Sequence, residues 1–125
     1  MTVDRVDWST DDVLRHLRSS PVFRQLADES LAAVADCATI MLVPAGDAVM
    51  EEGTTGDEAF VVIAGRLDVL TRSSDGSMRS VNHLGPGDVV GEMALITEEP
   101  RSATVRARRD SALMRIGASD FRSIV

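Results

Sequence analysis

Eight of the nine glycines fall between Gly46 and Gly91, and none precedes Gly46. Glycine weakens helices and supplies the positive φ of tight turns, so the first third of the chain is free to form helices and the middle is committed to turns. Turn signals stand at Pro44-Ala45-Gly46-Asp47, Gly53-Thr54-Thr55-Gly56-Asp57, Ala64-Gly65, Ser74-Asp75-Gly76 and Gly85-Pro86-Gly87-Asp88. They recur at intervals of about ten residues, the rhythm of a sandwich or barrel. Between them lie runs of strand length at Ile40 to Val43, Ala48 to Met50, Phe60 to Ile63, Leu67 to Thr71 and Met78 to Leu84. After Pro100, Ala103, Val105 and Ala107 alternate with Thr104, Arg106 and Arg108, and Ala112 to Ile116 follows, which predicts two further strands.

The glycine-free first third carries helical patterns. Ser9 or Thr10 can cap a helix with Asp11 and Asp12 in its first turn and Val13, Leu14 and Leu17 on one side. Ser19, Ser20 and Pro21 interrupt it. A second helix is expected from about Asp28 to near Cys37, with Leu31, Val34 and Ala35 at helical spacing. The lone Cys37 cannot form an internal disulfide, and its alanine-rich surroundings read as a small buried hydrophobe.

With 125 residues, 44% of them hydrophobic, the chain fits one compact domain with a single core. Its net charge of -7 argues against a surface that neutralises nucleic-acid phosphates, so an anionic ligand has to be held locally. The longest apolar run, Ala59 to Ala64, is far below the roughly 20 residues of a membrane span. Met1 to Asp12 holds four aspartates and does not read as a signal peptide, so a cytoplasmic protein is expected. All 13 basic residues are arginine, a bias of GC-rich genomes that fits a bacterial origin.

One stretch breaks the strand-turn rhythm. Gly91 permits a sharp turn, and Glu92-Met93-Ala94-Leu95 can form about one helical turn whose first amides lack internal partners and suit an anion. Nine residues after Glu92, Arg101 returns with a planar fork suited to phosphate, and Ser102 adds a hydroxyl donor. An ionised carboxylate only accepts hydrogen bonds. Glu92 is therefore compatible with the site if it faces a donor elsewhere on the ligand, such as a sugar hydroxyl, which points to a nucleotide rather than an inorganic anion.

The segments Gly91-Glu92-Met93-Ala94-Leu95-Ile96 and Pro100-Arg101-Ser102-Ala103-Thr104-Val105 resemble the phosphate-binding cassette of the cyclic nucleotide-binding domains. That family includes cyclic-AMP-dependent protein kinase regulatory subunits, cyclic-nucleotide-gated channels and bacterial catabolite activators. The likeness extends upstream through Gly53 to Val62 and Gly65, and downstream to Ser119-Asp120-Phe121-Arg122, covering the chain from about Leu17. Val90 stands where an aromatic residue commonly precedes the Gly-Glu pair.

The resemblance implies an eight-stranded antiparallel jelly-roll β-barrel with N-terminal helices and a short C-terminal helix. Residues 1–37 would be the helical segment, 38–117 the barrel with its cassette at 90–105, and 118–125 the start of the last helix. It also implies that Glu92 accepts the ribose 2′-hydroxyl, that Arg101 pairs with the cyclic phosphate, and that the amides of Gly91 and of the Met93, Ala94 and Leu95 turn complete the cradle. Ser102 would touch the phosphate or the base, and Asp57 would steady Arg101 or simply shape its turn. The implied ligand is cyclic AMP or, as the second choice, cyclic GMP, with no cofactor or metal.

Enzymatic readings find less support. Glu51, Glu52, Asp57 and Glu58 lack EF-hand spacing, and His16 and His83 are too few for a cupin metal centre. Cys37 has no histidine near it in sequence, and no serine occupies a nucleophile elbow. Met41, Met50, Met78, Met93 and Met114 read as core fillers. The expected function is a sensor that rearranges its flanking helices on binding and acts on an effector domain or protein, without contacting nucleic acid or membrane itself. The alternative is an interaction or targeting module of the same fold that no longer binds nucleotide.

Overall fold

The structure is a computed structural model that describes residues 10–124. The capping role expected of Ser9 and the reading of the leading segment before Thr10 lie outside the described residues. Helix α1 (Thr10–Leu17) carries Asp11 and Asp12 in its first turn and buries Val13 and Leu17. Helix α2 (Asp28–Cys37) starts with Asp28 and Glu29, which favour the positive end of the helix dipole, and buries Leu31 and Val34. Arg18 ties the segment between them: it donates to the carbonyls of Arg24 and Leu26 and to the Asp28 carboxylate.

Eight strands follow: β1 (Thr39–Val43), β2 (Ala48–Met50), β3 (Glu58–Ala64), β4 (Leu67–Arg72), β5 (Met78–Leu84), β6 (Val89–Val90), β7 (Thr104–Ala107) and β8 (Ser111–Gly117). Helix α3 (Ala118–Ile124) closes the described chain. All strand pairs are antiparallel and form two four-stranded sheets, ordered β1-β8-β3-β6 and β2-β7-β4-β5. The expected barrel is therefore corrected to a two-sheet sandwich. No hydrogen-bonded ladder joins one sheet to the other among the described residues, because the short strands β6 and β2 leave the sheet edges open.

The period-two pattern of the strands sorts side chains into two cores. Phe60, Val62, Leu67, Leu84, Val105, Ala107 and Leu113 fill the space between the sheets. Ala59, Val61, Met114 and Ile116, on the opposite face of β3 and β8, pack with Leu17, Phe23, Leu31, Val34 and Phe121 from the helical segments. Phe23 and Phe121 meet edge to face, centroids 5.9 Å apart and planes at 85°, so the N-terminal segment and α3 share one apolar contact.

Two sequence expectations on burial are corrected. Cys37 is exposed, standing at the last position of α2 beyond the buried Leu31 and Val34. Met78 and Met93 are exposed rather than core fillers: Met78 begins an open strand of the outer hairpin, and Met93 stands on a single turn whose buried face is Ala94 and Leu95. Thr104, which precedes the exposed Arg106 by two residues on β7, is buried because the loop following β2 lies over it.

Candidate phosphate-binding site

The site arises where the chain leaves β6 and returns as β7. Gly91 adopts φ 77°, a left-handed conformation that a side chain strains against, and directs the backbone into a 3-10 helix over Glu92–Leu95. Ala94 donates to the Gly91 carbonyl at 3.2 Å, while Ile96 and Thr97 both donate to the Met93 carbonyl at 3.1 and 2.9 Å. The Ala94 amide is thus engaged within the turn, and the amides of Glu92 and Met93 at its start have no backbone acceptor among the described residues. Ala94 and Leu95 are buried, which anchors the turn on the helical core.

Arg101 is held from its backbone outward. Its amide donates to the Thr54 carbonyl at 2.7 Å, and its carbonyl accepts from Gly53 at 2.9 Å, so the turn after β2 grips it like a strand partner. Its side chain then passes Gly56, where a Cβ would collide with the guanidinium. Nη2 donates to the Glu58 carbonyl at 2.8 Å and Nη1 to the Gly91 carbonyl at 3.2 Å. A guanidinium has five N–H donors, and these bonds leave three without a partner among the described residues.

Burial draws the Arg101 guanidinium below its ordinary pKa, and the carboxylates of Glu58 and Asp57 oppose that shift. Arginine stays charged regardless. No ion pair joins Asp57 to Arg101 among the described residues, so Asp57 acts on the guanidinium through space rather than as the direct partner implied by the resemblance. Its carbonyl instead accepts from Ala118, the first residue of α3, at 2.7 Å.

Glu92, Arg101 and Ser102 line one cavity of about 340 Å³ together with Gly91, Met93 and Ala94. Met50, Val69, Val90 and Val105 form its apolar wall. An apolar wall with a few convergent polar groups is the usual composition of a small-molecule site. The Glu92 carboxylate accepts no hydrogen bond from the described residues, and Ser102 is exposed at the rim. Asp57 borders a separate hollow of about 560 Å³ with Glu98 and Arg122, which contains neither Glu92 nor Arg101.

Sequence reasoning assigned Gly56 only to a turn and did not anticipate the Glu58 carbonyl. The sequence signal for the first was the Gly56-Asp57 pair before a strand; a backbone carbonyl leaves no mark in residue identity.

One cavity at the end of the two-sheet sandwich is lined by the fixed Arg101, by Glu92 and by the start of the 3-10 turn. Residues 40–125 match the family described as "Cyclic nucleotide-binding domain", and the chain belongs to that family. It is 36% identical over 101 residues to a cyclic nucleotide-gated potassium channel of Rhizobium etli, covering 81% of this chain and 27% of the channel. The chain thus spans about a quarter of that relative's length.

Among solved structures, a cyclic nucleotide-binding-like protein from Brucella abortus superposes with a TM-score of 0.81 at 30% identity, over 91% of this chain and 97% of that one. The regulatory domain of Toxoplasma gondii PKA, crystallised with cAMP, superposes with a TM-score of 0.83 at 30% identity, over 98% of this chain and 46% of that one. Domains of this family are regulatory rather than catalytic. Among the described residues no helix is long and apolar enough to cross a membrane.

Proposed function

We propose that this domain senses a cyclic nucleotide, cyclic AMP in the first place, and transmits occupancy to an effector through its flanking helices. The observation that carries this reading is the half-buried Arg101 guanidinium, fixed by the Glu58 and Gly91 carbonyls with donors to spare beside Glu92. In this reading Arg101 pairs with the cyclic phosphate, the amides at the start of the 3-10 turn add donors, and Glu92 accepts the ribose hydroxyl. Ser102 sits at the rim, beside phosphate or base, and the apolar wall of Met50, Val69, Val90 and Val105 receives the base. Asp57 supports the charge of Arg101 through space.

Two contacts support transmission. Leu95, at the end of the turn, is buried in the same cluster as Phe23, Leu31 and Phe121. Asp57, beside the carbonyl that holds Arg101, accepts from the first amide of α3. Phosphate binding that shifts the turn or the guanidinium therefore perturbs residues on which all three helices rest.

Calorimetric titration with cyclic AMP, cyclic GMP and 5′-AMP tests the proposal and ranks the bases. Saturable binding of a cyclic nucleotide with none of the linear monophosphate is the expected result. No heat from either cyclic ligand at millimolar concentration moves the assignment to an interaction module of the same fold.

A further inference from the structure

We propose that Thr104 is a positioning residue for the Arg101 guanidinium, acting through the Glu52 amide and the turn that follows it. The inference rests on the reading of Arg101 as the phosphate partner and adds the device that holds it in place.

Thr104 opens β7 three residues beyond Arg101 and is 6% exposed. Its hydroxyl oxygen accepts from the Glu52 amide at 3.0 Å, the only side-chain hydrogen bond it makes among the described residues. The Glu52 carboxylate in turn accepts the Arg72 amide at 2.9 Å, at the end of β4, so residue 52 is tied to β7 through its amide and to β4 through its side chain. The turn beyond it is closed by Thr54, whose hydroxyl and amide both donate to the Glu51 carbonyl, at 2.7 and 3.2 Å. From this braced turn come the two backbone bonds that grip Arg101, through Gly53 and Thr54.

The contacts form a closed ring. Residues 101–104 make one side and residues 52–54 the other, with the Thr104 hydroxyl at one end and the Arg101 backbone at the other. A buried hydroxyl whose partner is a backbone amide fixes a loop more firmly than apolar packing, since removing the acceptor leaves the amide unpaired. Valine keeps the branched shape of Thr104 and removes the acceptor; serine keeps the acceptor.

The test is backbone amide exchange by NMR on the ligand-free chain, combined with cyclic AMP titration, for Thr104→Val and Thr104→Ser. In Thr104→Val the amides of Glu52, Gly53 and Arg101 are expected to exchange about tenfold faster or more, with the β3–β8 ladder unchanged. Cyclic AMP affinity falls about tenfold, Thr104→Ser restores most of both, and Thr104→Val adds no further loss to Arg101→Ala.

Unchanged exchange at Arg101 in Thr104→Val overturns the proposal, as does an equal loss in the serine variant or a fully additive loss on Arg101→Ala. Should the parent chain take up no cyclic nucleotide, the binding assignment fails, and the exchange of Arg101 still decides whether Thr104 holds it.

Discussion

Gly56 and Arg101 occupy a space that admits no side chain on the glycine: a Cβ there would stand 2.6 Å from Arg101 Nε and 2.8 Å from Cζ. The colliding atoms belong to the far end of a long side chain, so Gly56→Ala displaces the guanidinium and spares the fold. Cyclic AMP affinity is expected to drop about tenfold to hundredfold, a part of the roughly 2 to 5 kcal/mol carried by a buried charge pair. The thermal midpoint stays near the parent's. Calorimetry beside a melting curve checks both, and parental affinity in this variant contradicts the slot.

Gly91 makes the opposite case. Its φ of 77° is unfavourable for any side chain, and a Cβ would lie 2.8 Å from Met50 Cε, 2.9 Å from Arg101 Nη1 and 3.2 Å from the Glu58 carbonyl oxygen. Gly91→Ala should lose about 1 to 2 kcal/mol of stability from the left-handed backbone alone, with a loss of affinity on top. Denaturant unfolding gives the first quantity, and an unshifted midpoint argues that the turn relaxes at no cost.

Phe121 joins α3 to the N-terminal helical segments. It is buried against Phe23, and truncation to alanine should cost about 3 to 5 kcal/mol by cavity formation and lost ring contact. Urea unfolding measures this. A loss under about 1 kcal/mol means that the apolar cluster does not depend on α3.

The β4–β5 turn carries a pH dependence. The Ser77 hydroxyl and then the Ser77 amide donate to Asp75, at 2.6 and 2.9 Å, and hold its carboxyl below the usual range. A depressed carboxylate pKa gives stabilisation that is complete above the unfolded value and disappears as pH falls through the folded value. Exchange of the Ser77 amide should therefore show added opening on acidification below the carboxylate range, and Asp75→Asn should flatten that response. An identical pH profile in the variant assigns the effect to another group.

Most of the strands were legible because their turns need glycine. Gly46, Gly53, Gly65, Gly76 and Gly87 all have positive φ at the predicted turns, and β2 and β5 occupy the predicted residues. Strand β6 was not legible, since two valines before a glycine carry no period. Sheet closure was not legible either: whether β2 and β6 meet depends on pairing between distant segments. The sequence grouped Gly91, Glu92, Arg101 and Ser102, and these four residues line one cavity. The grip on Arg101 was hidden because it consists largely of backbone carbonyls and one amide, which every residue type supplies. The burial of Thr104 was hidden for a related reason: strand alternation describes the sheet and not the loop folded over it.

The central claim is that Arg101 is the anchor for a cyclic phosphate, and the most direct measurement is calorimetric titration of cyclic AMP into the parent chain and into Arg101→Ala. Removing the guanidinium leaves a phosphate charge unpaired at a cost of roughly 2 to 5 kcal/mol, so affinity should fall about 30-fold to several thousand-fold. Arg101→Lys should retain part of the binding while losing the bidentate geometry. Equal affinity in the parent and in Arg101→Ala contradicts the account.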